Sequence, residues 1–464
     1  MIDPQVLAAR PVPGVVPGPQ GYPLVGSLPK VRKDPLQFLV QAARQYGDVV
    51  CLGGIGAQKF FLVNNPYDIE YVFKTNHRNY VKGANFQLLK SLAGEGLFLS
   101  EGTFWRGQRK LMLPAFHAPR LAALAPVITD ATESMLARWA DLADRRQAFD
   151  VEREMMHLSL DVSVKVLFGA EVRKEHAEVV RRSVATAFDY LHNRVWSLAS
   201  LPQWMPTPSN LRFQRAITAL DSVVYAIINE RRRSGAQGSD VLSMLLGVRD
   251  EETGEGMADR QIRDEVVTML VAGHESTAIT MAWTLYLLSK HSAVERQVQE
   301  ELDTAVGGRA PAFSDLPNLP YLARVIKESL RLYPPFWMFT RTPLEDDEVG
   351  GHTIPAGSIL MFAPYVSHRN PDFWPNPEAF DPDRFTPERS AGRPQLAYYP
   401  FGGGPRLCIG LRMAEYQISL MLAAILQKYS LHLLPGRRVE PEATISLRPK
   451  GGLWMTLHER TPLS

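Results

Sequence analysis

Apolar residues recur at three-to-four spacing from Leu121 to Trp139 and again from Leu211 to Arg233, the pattern of helices with one buried face. This rhythm holds for most of the stretch from Phe104 to about Lys327, with breaks at Pro202, Pro206 and Pro208. Asp48 to Val63 is different: it alternates, favours valine and phenylalanine, and is interrupted by Gly53-Gly54-Ile55-Gly56, which predicts a hairpin. Past residue 340 proline becomes frequent, and Thr353-Ile354-Pro355-Ala356-Gly357 reads as a turn between short strands. Ile409 to Lys428 is again an amphipathic helix, and the last forty residues suggest strands around a tight Lys450-Gly451-Gly452 turn. The expected fold class is mainly α with a smaller β portion. A proline- and glycine-rich lead occupies residues 1–30, and residues 31–464 are expected to form a single domain.

Val266 to Leu288 is nearly continuous apolar sequence, long enough for a membrane span at roughly 20 residues. Its centre reads Gly273-His274-Glu275-Ser276-Thr277, and ionisable groups at that depth in a bilayer are costly. A buried central helix is expected instead, with no membrane span. Met1 to Arg10 lacks the charged-then-apolar order of an export signal, and a cytoplasmic location follows as the expectation. Two cysteines, Cys51 and Cys408, build no disulfide framework. The formal charge of +2 is too small for bulk nucleic-acid binding, so no nucleic-acid partner is expected. The arginine runs at 145–146, 181–182 and 231–233 read as solvated helix faces.

Candidate chemistry concentrates in Phe401-Gly402-Gly403-Gly404-Pro405-Arg406-Leu407-Cys408-Ile409-Gly410. Three glycines and a proline predict a tight loop, with a helix starting directly after the cysteine. The positive end of that helix favours a thiolate at Cys408, a soft, electron-rich ligand for iron. On the residues alone, a cysteine buried in a glycine turn is the alternative. A phosphate loop is not, because its lysine and following serine or threonine are missing. The segment resembles the haem-binding loop of the cytochrome P-450 (haem-thiolate monooxygenase) family, Phe-x-x-Gly-x-Arg-x-Cys-x-Gly, matching at Phe401, Gly404, Arg406, Cys408 and Gly410. The resemblance implies that Cys408 is the proximal iron ligand of haem b, that Phe401 shields its sulfur and that Arg406 pairs with a propionate. It also implies the family's fold, with haem between a long central helix and the helix after the cysteine loop.

Further segments fit the same family in the same order. Ala272-Gly273-His274-Glu275-Ser276-Thr277 resembles its oxygen-activating stretch, with Ser276 where a threonine is usual. Glycine inside a helix costs about 1 kcal/mol relative to alanine, and hydroxyls bonding back to the i−4 carbonyl can open a helix. Those bonds are expected from Ser276 to Ala272 and from Thr277 to Gly273. Glu275, as a solvent-linked acid, Ser276 and Thr277 are thereby the implied proton-relay residues. Glu328-Ser329-Leu330-Arg331 matches Glu-x-x-Arg, and Phe380-Asp381-Pro382-Asp383-Arg384-Phe385 supplies the arginine completing a structural trio of Glu328, Arg331 and Arg384. Trp105 and Arg109, one helical turn apart, and Arg341 resemble further propionate-binding positions, while Leu92, Ala272 and Phe336 stand where relatives line the substrate pocket.

The implied activity is oxidation of a lipophilic small molecule of fatty acid, terpene or steroid class, with dioxygen and two electrons. Those electrons are expected ultimately from NAD(P)H through a separate ferredoxin or flavodoxin with its reductase, since no dinucleotide fingerprint is found. Arg106, Lys110 and Arg412 are candidates for the docking patch. A haem-thiolate peroxygenase or isomerase, and a non-catalytic haem-binding carrier or sensor, are the competing readings.

Overall fold

The computed structural model describes residues 16–22, 26–55, 58–83, 86–169, 172–195, 202–235, 238, 240–249 and 254–460. Of the expected lead, residues 1–15 and 23–25 lie outside the described residues. Two compact units emerge, each discontinuous in sequence: residues 1–86 with 327–408, and 87–326 with 409–464.

In the first unit the alternating segment forms the expected hairpin, Val49–Ile55 antiparallel to Gln58–Val63. The second strand then pairs in parallel with Ile359–Phe362, about 300 residues further on. Phe339–Pro343 and Tyr80–Lys82 complete the five-stranded sheet. One face of it buries Phe61, Phe73, Leu360, Phe362, Leu396 and Tyr399 together, each contributing about 1.5–3 kcal/mol by leaving water. The proline-rich strap is fastened to this sheet, the Cys51 amide donating to the Pro17 carbonyl at 2.8 Å. Gly18 is obligatory there, because a Cβ would sit 1.9 Å from the Cys51 carbonyl oxygen. The Pro35–Tyr46 helix begins with Asp34 accepting from the Gln37 amide at 3.0 Å and proline in its first turn.

In the second unit the periodic stretches become the helices Ala118–Asp144, Lys174–Val195 and Pro208–Ser234. The central helix runs from Asp259 to Lys290, longer than its apolar run, and packs most extensively against Val151–Phe168. It is buried on almost every side, which explains why its sequence lacks a polar face. No single helix among the described residues is long and apolar enough to cross a membrane; by length and composition alone the pair Gly102–Phe116 and Ala118–Asp144, bent by 62°, passes that test.

Strands flank the Lys450-Gly451-Gly452 turn as expected, but they pair elsewhere: Leu447–Pro449 with Pro441–Ala443, and Trp454–Glu459 with Tyr429–Leu433 and Phe149–Asp150. Asp150 holds the chain just after the turn by accepting from the Leu453 amide at 2.9 Å. One expectation needs correction: Arg231 is not solvated, since its guanidinium bonds Asp240 at 2.7 Å and the Phe168 carbonyl at 3.1 Å.

Candidate active site

The cysteine loop is shaped by close backbone approach. Gly402 and Gly404 take φ values of +73° and +63°, and a Cβ on Gly404 would lie 1.8 Å from the Phe73 carbonyl oxygen. The Leu407 amide donates to Gly404 at 3.0 Å, and the Cys408 amide closes the loop on the Phe401 carbonyl at 3.1 Å. Cys408 is exposed, Phe401 and Arg406 half-buried. The following helix starts at Leu411 with Gly410 at its cap, so Ile409 and Gly410 intervene where a direct start was expected.

The loop's foundation lies in the same unit. Arg331 Nε and Nη2 donate to both oxygens of Glu328 at 2.7 and 2.8 Å, with both residues fully buried. Arg384 Nε stands 3.3 Å from the same carboxylate. Arg331 also donates to the carbonyls of His368, Pro377 and Ala379 at 2.7–3.0 Å. His368 Nε2 in turn accepts from the Tyr399 amide at 2.9 Å, just before the loop. Burial and the Arg331 charge hold this imidazole far below its ordinary pKa, as an acceptor must be. Arg341 lies over the Phe73 ring at 5.1 Å and donates to the Thr340 carbonyl, while Phe336 is half-buried against Phe339.

On the central helix, Met269, Ala272, Gly273 and Ser276 are partly accessible, a stripe at i, i+3, i+4 and i+7 with Val271 beside it, between the buried runs 262–268 and 277–285. A Cβ on Gly273 would meet nothing within 4 Å. Ser276 makes the expected back-bond to Ala272 at 2.7 Å; below it Thr280 bonds Ser276 at 2.8 Å and Thr284 bonds Thr280 at 2.7 Å. Thr277 is buried, and among the described residues the second back-bond comes from Thr280 rather than from it. Glu275 points away from the stripe. It is 5% exposed, its Oε1 2.9 Å from His192 Nε2 and accepting from Ser446 Oγ at 2.7 Å. Burial alone would raise this carboxyl, but His192, Ser446 and His274 more than offset it and hold it below its ordinary value. The solvent-linked acid of the sequence reading is therefore a buried, paired one. Trp105 is buried on Gly102–Met112 with the Arg109 guanidinium 5.7 Å from its ring, and Leu92 has no accessible surface at all.

A family model described as cytochrome P-450 matches residues 16–455. The chain belongs to the cytochrome P-450 family. It is 36% identical over 423 residues, covering 91% of this chain and 90% of the relative, to cyclooctat-9-en-7-ol 5-monooxygenase of Streptomyces melanosporofaciens. Pentalenene oxygenase of Streptomyces avermitilis is 32% identical, with 97% and 98% covered. The crystal structure of the cytochrome P-450DA heme domain superposes with a TM-score of 0.87 at 27% identity, covering 96% and 98% of the two chains. The chain is thus a cytochrome P-450 monooxygenase with the family's fold and haem-iron chemistry.

The residues of this P-450 fit a haem on the chemistry of the donor: the thiol of an exposed cysteine, on a loop whose glycines keep side chains out of the turn. His192, Ser446 and His368 were not foreseen from the sequence. No local signal marks them, since Ser446 is 171 residues from Glu275 and His368 is 31 from Tyr399.

Proposed function

We propose that this monooxygenase oxidises a lipophilic terpene-class molecule, with electrons delivered from NAD(P)H by a separate ferredoxin or flavodoxin and its reductase. The relatives named as a pentalenene oxygenase and a cyclooctat-9-en-7-ol 5-monooxygenase support that class over a fatty acid or steroid. Residues 31–464 act as one domain, in the cytoplasm. The observation that carries the reading is an exposed Cys408 on a loop closed by its own amide.

Cys408 would hold the iron of haem b, with Phe401 shielding the sulfur and Arg406, Trp105, Arg109 and Arg341 meeting the propionates. When bound, haem supplies the metal centre at which dioxygen is activated for insertion of one oxygen atom into a C–H bond. Ala272, Phe336 and Leu92 exclude water from the substrate side. With its proton on the Ala272 carbonyl, the Ser276 hydroxyl presents lone pairs to the open stripe and accepts from water there; breaking the back-bond frees that proton for donation. Glu275 joins only by exchanging His192 or Ser446 for a water, because adjacent helix residues face different ways. Thr277 backs this turn from the buried side. Exposed Arg106, Lys110 and Arg412 supply positive charge for an acidic redox partner.

The test is the spectrum of the reduced, carbon-monoxide-bound protein, followed by terpene titrations and product analysis with ferredoxin and flavodoxin in parallel. A thiolate-type spectrum lost in Cys408→Ala, and a hydroxylated terpene product, are expected. A nitrogen-ligated spectrum, or turnover at full rate with hydrogen peroxide alone, would overturn the reading.

A further inference from the structure

The segment from Ala93 to Ser100 is moulded onto the central helix by hydrogen bonds that the proton relay does not use. Thr268 Oγ1 donates to the Ala93 carbonyl at 3.4 Å, the Glu95 amide donates to Asp264 Oδ2 at 3.0 Å, and the Leu97 amide donates to Glu265 Oε2 at 3.0 Å. Gln108 closes the other side, donating to the Glu95 carbonyl at 3.2 Å and accepting from Ser100 Oγ at 2.6 Å. A Cβ on Gly96 would lie 2.0 Å from Thr268 Oγ1, and one on Gly94 2.2 Å from Asp264 Oδ1. Only glycine allows so close an approach at these two positions.

Glu265 is the unusual anchor. It is fully buried, and its Oε1 is sealed from solvent without a hydrogen-bond partner. An ionised carboxylate there would rest on one backbone N–H beside a second carboxylate, Asp264, so the neutral acid is the cheaper form. Burial pushes the group up to about 7, Asp264 adds to the rise, and the Leu97 amide opposes it. Two charged groups of the packed elements, Arg263 and Lys90, are already paired. Arg263 bonds Asp264 at 2.9 Å and Asp221 of the Pro208–Ser234 helix, and Lys90 pairs with Glu95 on the facing segment.

We propose that Glu265 is a positioning residue for substrate entry: as a neutral acid it fastens the 93–100 segment to the central helix and keeps Leu92 shut, and on ionising it lets that segment lift. This rests on the reading of Leu92 as a pocket residue. The proton passes to solvent water, and the hydrogen bond from the Leu97 amide breaks as the carboxylate turns towards water. The clamp accounts for why a residue expected to line the pocket has no accessible surface in this conformation.

The test uses the full-length, haem-loaded protein. Hydrogen exchange of the Leu97 amide is followed from pH 6 to 8 and corrected for the base-catalysed intrinsic rate. Protection is expected to fall about tenfold across that window in the wild type, and to stay level in Glu265→Gln, which keeps an acceptor for Leu97 but has no charge to gain. In parallel, tert-butyl isocyanide, neutral throughout the range, is mixed with the reduced protein and its binding rate read from the Soret band. Faster entry at pH 8 than at pH 6, absent in Glu265→Gln, is the expected result. Wild-type protection that does not change with pH overturns the clamp, whether or not the variant folds. A pH-dependent amide with pH-indifferent isocyanide entry instead overturns the placing of this segment over the pocket, and with it the Leu92 reading.

Discussion

Glu265 and Glu275 stand on the same helix, ten residues apart, and both are withdrawn from water. One is pushed up to about 7 and the other held below its ordinary value. Desolvation raises both, so burial is not what separates them. Glu275 meets an imidazole and a hydroxyl, whereas Glu265 meets a single amide and a neighbouring carboxylate. The pair shows that the protonation state of a helix's buried acids is written by the elements packed on it and not by the helix itself.

That contrast can be broken most severely at His192. His192→Ala leaves a buried carboxylate with Ser446 as its remaining donor, and a loss of about 3 kcal/mol in unfolding free energy at pH 7 is expected by denaturant titration. In the wild type the depressed Glu275 group gives stability that is present above the ordinary carboxylate value of 4.5 and lost as pH falls below it. The His192→Ala deficit therefore shrinks in acid, and one that stays constant to pH 3 would show Glu275 to be uncharged. Ser446→Ala should cost less, about 1.5 kcal/mol, as one hydrogen bond to a charged group disappears.

Glu265 has the opposite sign. Its raised value means that wild-type stability falls as pH rises from the ordinary 4.5 towards about 7. Glu265→Gln should accordingly gain at least about 1 kcal/mol on the wild type between pH 5 and pH 8, measured by thermal unfolding at both. The smallest effect is expected at Ser276→Thr, which keeps the hydroxyl and adds a methyl group. Stability should shift by under about 0.5 kcal/mol, while product formed per NAD(P)H consumed rises because the stiffer rotamer holds the hydroxyl better.

What the sequence made legible was local. The cysteine loop spans ten residues, Glu328 and Arg331 are one helical turn apart, and the Ser276 back-bond reaches only to Ala272. What it concealed was long-range. Nothing near Gln58–Val63 announces a parallel partner at Ile359–Phe362, and nothing near Glu275 announces His192 or Ser446. The strands either side of Lys450 were legible, but not that they pair with different partners, 441–443 on one side and 429–433 with 149–150 on the other. Leu92 was readable as apolar, but the close approach of Gly94 to Asp264 and of Gly96 to Thr268 in the segment after it was not.

The hydroxyls of Ser276, Thr280 and Thr284 form a chain of staples down one side of the central helix, each gripping the carbonyl a turn above. Undoing the uppermost staple leaves the other two in place. A change at Ser276 that undoes the uppermost bond is thus confined to a single turn.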